Sequence, residues 1–247
     1  MFAAVDNDTL ELVALKTFRD EFLGSPAQRK AFEKEARLWV SFGHHAFVLR
    51  ARGVESFNGR LFLVMEFIAP DEMERVTLMD HIRSAGAPLP IGRCLDWSIQ
   101  FCWGMEHAVR HGLHCHRDIK PQNILISRGT TVKIADFGVA SVKELQLDGD
   151  VSCKQSELHV GDGPVALRAS CSMSRTICGT PGYMAPEVYQ GEGADMLSDI
   201  YSFGLVLWQM AAGSPDPPFA PERWVDVEEY PMSRNTFRIL TTHSCAS

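Results

Sequence analysis

Two short segments carry side chains suited to chemistry on phosphate groups. HRDIKPQNIL occupies residues 116–125, and DFG follows at 136–138. Together they place two carboxylates, a carboxamide and a lysine close in sequence, at Asp118, Asp136, Asn123 and Lys120. Phosphoryl transfer requires an aligned nucleophile and positive charge around the moving group, and Mg²⁺ prefers hard oxygen ligands. Side chains of these types are the ones that a magnesium-assisted phosphoryl transfer needs.

Further segments surround this pair in a fixed order. They are VALK at 13–16, Glu35 in an amphipathic stretch, LVMEF at 63–67, Thr176, GTPGYMAPE at 179–187 and SDIYSFG at 198–204. With them, the chain from about residue 1 to residue 213 resembles a eukaryotic-type serine/threonine protein kinase catalytic domain. The HRDxK form resembles the serine/threonine enzymes more than the tyrosine enzymes.

The resemblance implies a role for each polar residue of the two segments. Asp118 would accept the proton of the substrate hydroxyl, and Lys120 would neutralise the γ-phosphate of ATP. Asn123 and Asp136 would supply oxygen ligands to Mg²⁺. Thr180 would contact Asp118 and Lys120 and help to seat the substrate hydroxyl.

Lys16 would hold the α- and β-phosphates, with Glu35 as its ion-pair partner on the following helix. Glu33 is the rival for that pairing but faces another side of the helix, and Glu35 matches the family register. For the ribose, either Glu72 or Thr77 is a candidate, and the sequence leaves that choice open.

The adenine site would lie against a hinge formed by the backbone of Glu66 to Ile68. Met65 would be the gatekeeper in front of it. Leu125 resembles the apolar floor and Ala14 part of the roof, although both also suit an ordinary core. The implied cofactors are ATP and Mg²⁺, and the implied partner is a protein substrate.

A regulatory site is also suggested by the resemblance. Arg117 adjoins Asp118, and Thr176 occupies the register that is commonly phosphorylated in this family. A phosphate there, from an upstream kinase or from autophosphorylation, would pair with Arg117 and order the loop; the alternative is an exposed loop threonine.

One histidine-rich segment permits a different interpretation. The residues concerned are His107, His111, His114, Cys115 and His116. His107 and His111 have a helical i,i+4 spacing that could bind zinc. The match to the catalytic segment already accounts for His116, which we expect to pack under Phe137 and to bond a backbone carbonyl near DFG.

Periodicity supplies the elements that must position these residues. It predicts strands at 10–18, 47–55 and 60–68, helices at 26–41, 91–111 and 197–212, and a hairpin from 123–126 and 131–134. Asn58 and Gly59 signal a hairpin turn between two of the strands. The 91–111 helix should bury Leu95, Ile99, Cys102, Met105 and Val109, and the 197–212 helix should be buried on every side.

The predicted fold class is α+β with the two lobes of a protein kinase. Residues 1–68 form a small β-rich lobe without the family's first strand and glycine-rich loop. Residues 69–213 form a larger helical lobe without its last helices, with an activation-loop insert at 141–175. Residues 214–247 form an irregular tail. The boundary between the lobes is expected at 69–71, and the pattern suggests truncation at both ends.

These departures have expected costs. No GxGxxG occurs in the chain, so ATP would be held more loosely. Glu187 would lack the arginine that usually pairs with it, and an unpaired buried carboxylate costs about 3–5 kcal/mol. Part of the last helix would be uncovered, at Leu205, Leu207, Trp208 and Met210.

Composition restricts the class of protein further. The formal net charge is −7, which argues against general binding to nucleic acid. Hydrophobic residues make up 45% of the chain, an ordinary share for a globular protein. Seven cysteines without framework spacing, and an N-terminus unlike a signal peptide, favour a reducing cytoplasmic location. No apolar run is long enough to span a bilayer, although a tether in a longer parent protein stays open.

Two functions from different classes remain open. The first is a protein serine/threonine kinase that uses Mg·ATP, with Asp118 as base. The second is a catalytically impaired fragment or pseudokinase that acts as a protein-binding scaffold. A small-molecule kinase is disfavoured because GTPGYMAPE resembles a platform for peptide substrates.

Overall fold

The N-terminal part of the chain is an antiparallel sheet with one helix beside it. In the computed structural model, the described residues are 1–17, 26–137, 141–142 and 179–218. The four strands are β1 (Phe2–Val5), β2 (Leu12–Lys16), β3 (Ala51–Phe57) and β4 (Arg60–Glu66), in the spatial order β1-β2-β4-β3. Helix α1 (Pro26–Ser41) has the bounds that the sequence predicts and packs against β3.

Strand β1 was not among the predicted strands. It is short and mostly exposed, so its sequence shows no clear alternation. It pairs with β2 through a turn in which Oδ1 of Asp6 accepts hydrogen bonds from the backbone of Asp8 and Thr9. A strand therefore does precede the VALK strand, and the turn between the two strands contains no glycine.

The β3–β4 hairpin turns at the predicted Asn58 and Gly59. Both residues have positive φ, 51° and 75°, which is the geometry that an Asn-Gly turn favours. The strands begin and end a few residues from the predicted bounds. Strand β3 starts at Ala51, because residues 47–49 instead bond to a strand of the second lobe.

The second part of the chain is mainly helical. Its helices are α2 (Leu78–Ala85), α3 (Ile91–Arg110), α4 (Pro186–Tyr189) and α5 (Met196–Ala212). Its strands are β5 (Leu113–Cys115), β6 (Ile124–Ser127), β7 (Thr131–Ile134) and β8 (Ser141–Val142), where β6 pairs with β7 and β5 with β8. The predicted β6–β7 hairpin is thus confirmed.

Helix α2 was missed by the sequence prediction, although its start is well marked. Thr77 is its N-cap: Oγ1 accepts a hydrogen bond from the Asp80 backbone at 3.1 Å, and the Asp80 carboxylate accepts from the Thr77 backbone at 2.8 Å. This reciprocal capping box engages the Thr77 hydroxyl. Of the two ribose candidates, Glu72 has an exposed side chain, whereas the hydroxyl of Thr77 is engaged in the cap of α2.

The predicted buried face of α3 is wrong for three of its five residues. Leu95 and Ile99 are 55% and 47% exposed, and Cys102 is exposed. The helix buries another face, made of Cys94, Trp97, Phe101, Met105 and Ala108. Helix α3 carries two apolar stripes, and periodicity alone could not tell which of them packs against α5 and β7. The buried stripe is the one that contains Phe101, whose ring stacks on Phe203 of α5 with centroids 4.0 Å apart.

Helix α5 is not buried on every side as predicted. Leu197 and Ile200 near its start are 68% and 61% exposed. Leu205 and Met210 were expected to be uncovered and are instead 5% and 1% exposed; Trp208 is 41% exposed. The helix ends at Gly213, where φ is 65° and a Cβ would come within 2.2 Å of the Ala87 backbone. Only glycine fits there.

The predicted divisions of the chain are only partly within the described residues. Strand β4 ends at Glu66 and α2 begins at Leu78, so the proposed lobe boundary at 69–71 falls in the segment between them. Of the predicted insert at 141–175, only Ser141 and Val142 are described. Of the tail at 214–247, residues 214–218 are described and the rest lies outside the described residues, as does Thr176.

Candidate active site

A buried carboxylate on α5 holds the segment between β5 and β6. The two oxygens of Asp199 accept hydrogen bonds from the backbone nitrogens of His116 and Arg117, at 2.6 and 2.9 Å. Asp199 is 3% exposed, and burial raises its pKa while the two N–H donors oppose that rise. Arg117 has a φ of 70°, an uncommon value for a residue with a side chain. Asp199 therefore helps to fix a strained turn just before Asp118.

Aromatic rings connect this turn to α1. The ring of His116 lies 4.9 Å from that of Phe137, and its Nε2 bonds the Ala135 carbonyl at 3.1 Å. Phe137 is fully buried and makes edge contacts with Trp39 and Phe42, with centroids 5.3 and 4.9 Å away. The predicted position of His116 under Phe137 is confirmed.

Asp118 lies at the centre of a hydrogen-bonded group. Its Oδ2 is 2.8 Å from Nζ of Lys120 and accepts a bond from Nδ2 of Asn123 at 2.9 Å. Its Oδ1 accepts a bond from the Thr180 hydroxyl at 2.7 Å. Lys120 also donates to Thr180, at 2.7 Å. The contacts expected of Thr180 are therefore present.

This environment favours the charged form of Asp118. Burial disfavours ionisation, but the hydrogen bonds from Lys120, Thr180 and Asn123 outweigh it and hold the Asp118 pKa below its ordinary value. The side chain is 11% exposed. An ionised carboxylate with a lysine beside it is suited to accept a hydrogen bond from an incoming hydroxyl.

Lys16 and Asp136 form an ion pair between β2 and the DFG segment. Asp136 has a φ of 61°, so its carboxylate is presented from a left-handed backbone position. The predicted partner of Lys16 was Glu35, and that pairing is not found: among the described residues no ion pair joins Lys16 to Glu35. Burial raises the pKa of Glu35 to about 7, and the nearby charge of Lys16 opposes that rise only in part. Lys16 pairs with the carboxylate of Asp136 instead.

The residues expected around adenine lie on adjoining strands. Ala14 of β2 is directly opposite Met65 of β4, and these residues are 8% and 0% exposed. Leu125 of β6 is half-buried and opposite Lys133 of β7. Glu66 ends β4, and Ile68 is half-buried two residues later. Roof, gatekeeper, floor and hinge are thus on elements that adjoin one another, and their roles stay predictions.

The histidine cluster does not form a metal site. Among the described residues, no group of three or more His, Cys, Asp or Glu side chains could hold a metal ion. The rings of His107 and His111 lie 4.1 Å apart, and His107 Nε2 bonds the Phe42 carbonyl at 2.7 Å. The ring of His45 also stacks on that of His107, with centroids 4.3 Å apart.

Two residues that shape the site were not given a role from the sequence. Asp199 lies within SDIYSFG, which was recognised only as a motif, and it acts on residues 82 and 83 positions away. Lys133 bonds Glu66 and had no sequence signal of its own. The half-buried Glu187 forms no ion pair with another described residue.

Comparison with known proteins identifies the group to which this chain belongs. A family model described as a protein kinase domain matches residues 1–243. The chain belongs to the protein kinase domain family. The small antiparallel sheet followed by a helical region is the α+β arrangement predicted for such a domain.

Curated relatives of this kinase domain are named as bacterial serine/threonine-protein kinases. It is 31% identical over 210 residues to serine/threonine-protein kinase PknB of Mycolicibacterium smegmatis. The aligned region covers 84% of this chain and 29% of that protein. It is 29% identical to probable serine/threonine-protein kinase PknB of Lactococcus lactis (82% of this chain, 27% of that protein). It is 28% identical to serine/threonine-protein kinase pkn3 of Myxococcus xanthus (82% and 33%). The chain thus spans about a third or less of each of these relatives.

The donor atoms of this kinase domain fit Mg²⁺, which the family implies. Nδ2 of Asn123 donates to Asp118, which leaves the amide oxygen of Asn123, together with the Asp136 carboxylate, as oxygen ligands for the ion. Magnesium is usually held by one or two such protein oxygens, with phosphate oxygens and water completing the octahedron. No described helix of the kinase domain is long and apolar enough to cross a membrane.

Proposed function

We propose that this kinase domain transfers the γ-phosphoryl group of ATP to serine or threonine hydroxyls of proteins. The observation that carries the proposal is the group around Asp118, in which Lys120, Asn123 and Thr180 bond one carboxylate between 2.7 and 2.9 Å. Such a group can orient a hydroxyl and balance the charge of a phosphate in the same place.

The proposed reaction is one displacement. The substrate hydroxyl donates to Asp118, its oxygen attacks the γ-phosphorus, the bond from phosphorus to the bridging oxygen of ADP breaks, and the proton passes to Asp118. Lys120 places its ammonium beside the transferred group, and Lys16 binds the α- and β-phosphates. Mg²⁺, when held by Asn123 and Asp136, supplies positive charge to the phosphates.

Substrate and location belong to the same proposal. The names of the relatives support a protein hydroxyl as acceptor, and Lys120, two residues after Asp118, supports serine or threonine. An intracellular site of action follows because the reaction consumes ATP. Phosphorylation of Thr176 that orders its loop through Arg117 stays part of the proposal.

The test is transfer of radiolabelled phosphate from ATP to a generic acceptor protein. Asp118→Asn should reduce the rate by about 10²–10⁴-fold, because the proton acceptor is lost. Asp96→Asn, an exposed carboxylate on α3, is the matched control and should keep the rate. If the purified protein binds Mg·ATP but transfers no phosphate, the proposal is wrong.

The scaffold alternative is not favoured, because Lys16, Asp118, Asn123 and Asp136 are all present and Lys16 already pairs with Asp136. A thermal-shift titration with Mg·ATP separates the two. Stabilisation that disappears in Lys16→Ala and Asp136→Ala supports a nucleotide site, whereas no stabilisation in the unmutated protein supports the scaffold.

A further inference from the structure

Lys133 connects the second lobe to the hinge. Its Nζ lies 2.8 Å from Oε1 of Glu66, and the two side chains are only 12% and 24% exposed. The same oxygen of Glu66 accepts a hydrogen bond from the Arg50 backbone at 2.9 Å, and the Glu66 backbone donates to the Arg50 carbonyl at 2.9 Å. Glu66 is thereby held through both its side chain and its backbone.

The strand that carries Lys133 holds two other parts of the nucleotide region. Lys133 is paired with Leu125, the expected floor of the adenine site, in the β6–β7 ladder. The next residue, Ile134, bonds Phe47 and Leu49 through its backbone at 3.0 and 2.8 Å. Strand β7 therefore carries the cation that reaches the hinge, and its backbone bonds both the strand of the floor residue and the segment that leads into β3.

We propose that Lys133 is a positioning residue that fixes the hinge backbone for adenine through Glu66. The proposal rests on the nucleotide site of the proposed function. Without the ammonium, only one backbone donor would remain for the mostly buried carboxylate of Glu66. We expect the carboxylate to turn toward water for that reason. The Arg50 amide would then lose its acceptor, and the first peptide of the hinge would lose one of its restraints. Hydrogen bonds to a purine edge depend on direction, so nucleotide binding should weaken.

The expected effect is confined to binding of the nucleotide. Within the described residues, Lys133 forms no ion pair with Asp118 or Asp136. Lys133→Met, which keeps the length of the side chain, should raise KM for ATP about tenfold and change kcat by less than about twofold. Lys133→Arg should restore most of the affinity, because a guanidinium can also reach the carboxylate.

Variants at Glu66 separate positioning from simple loss of stability. Glu66→Gln should raise KM to a similar extent, and combining it with Lys133→Met should add little, because both changes break one interaction. Lys133→Met with Glu66→Leu replaces the pair by apolar side chains, which often retains stability. Its melting temperature should recover while KM stays high, since the Arg50 amide still lacks its acceptor. Glu106→Gln, which breaks an exposed pair with Arg110, is the control and should leave KM unchanged.

The outcomes separate this inference from the proposed function. Lack of nucleotide binding by the unmutated protein would contradict the proposed function and the inference with it. Normal binding with an unchanged KM in Lys133→Met would overturn the inference alone. So would a fall in kcat at constant KM, or recovery of KM in the apolar double variant.

Discussion

The Thr180 hydroxyl donates a 2.7 Å hydrogen bond to Asp118 while it accepts one of 2.7 Å from Lys120. Thr180 thus joins the base and the cation. Thr180→Val should reduce kcat by about 10–100-fold, because a hydrogen bond to a charged group contributes about 1.5–3 kcal/mol. Thr180→Ser keeps the hydroxyl and should keep most of the rate. Steady-state kinetics with a protein acceptor measures both, and equal rates in Val and Ser variants would contradict the assignment.

Glu35 should make the nucleotide-free protein less stable as the pH rises. Its pKa is raised to about 7 by burial, from an ordinary value of 4.5. The folded state therefore holds a proton that the unfolded state releases, so this stabilising effect is complete below pH 4.5 and is lost as the pH passes 7. Glu35→Gln should remove that loss and raise the melting temperature at pH 8 by about 2–4 °C.

The control for Glu35 is Glu33→Gln on the same helix. Melting temperatures of both variants are compared with the unmutated protein from pH 5 to pH 8 at constant ionic strength. A pH dependence that Glu35→Gln leaves unchanged would show that Glu35 is ionised throughout.

The histidine stack should respond to acid in the opposite direction. Burial lowers the pKa of His45 from 6.5, and nearby His107, Lys133, His44 and His111 lower it further. At a pH just below 6.5, His45 binds a proton in the unfolded chain but stays neutral in the folded protein. Stability is therefore lost as the pH falls below 6.5. His45→Phe keeps an aromatic ring against His107 and should reduce the acid loss, whereas exposed His44→Asn should not. Thermal melts between pH 5 and pH 7.5 test this, and parallel curves for all three proteins would refute it.

Asp199 should be needed for folding of the catalytic segment. In Asp199→Ala the backbone N–H groups of His116 and Arg117 lose their acceptors in a buried site, at a cost of about 2–6 kcal/mol for the two donors. Urea denaturation measures the change, and Asp96→Ala on the exposed side of α3 is the control. A loss below about 1 kcal/mol would mean that water or another group replaces the carboxylate.

Sequence signals predicted the helices and turns well where neighbouring residues determine the backbone conformation. Pro26 and the strong helix formers after it gave α1 its bounds, and Asn58-Gly59 gave the β3–β4 turn. Helix α2 was missed although Thr77 and Asp80 form a capping box that the sequence displays.

Relationships between distant residues could not be predicted in the same way. The choice of the Phe101 stripe on α3 depends on Phe203, and the anchoring of His116 depends on Asp199, 83 residues later. The pairing of Lys16 was wrong because two carboxylates compete for it, and Asp136 is the nearer one. Asp118 and its hydrogen-bonding partners were found because their order in the sequence matches a known motif.

The exposed stripe on α3 has a practical consequence for work with the purified protein. Ile91, Leu95, Ile99 and Trp103 recur every four residues and are 47–72% exposed, so they form an apolar ribbon about 18 Å long. Sulfate and phosphate salts strengthen contacts between such surfaces, whereas low salt weakens them. Concentrated ammonium sulfate should therefore precipitate the protein readily, and buffers without such salts are the better choice for measuring its melting curves.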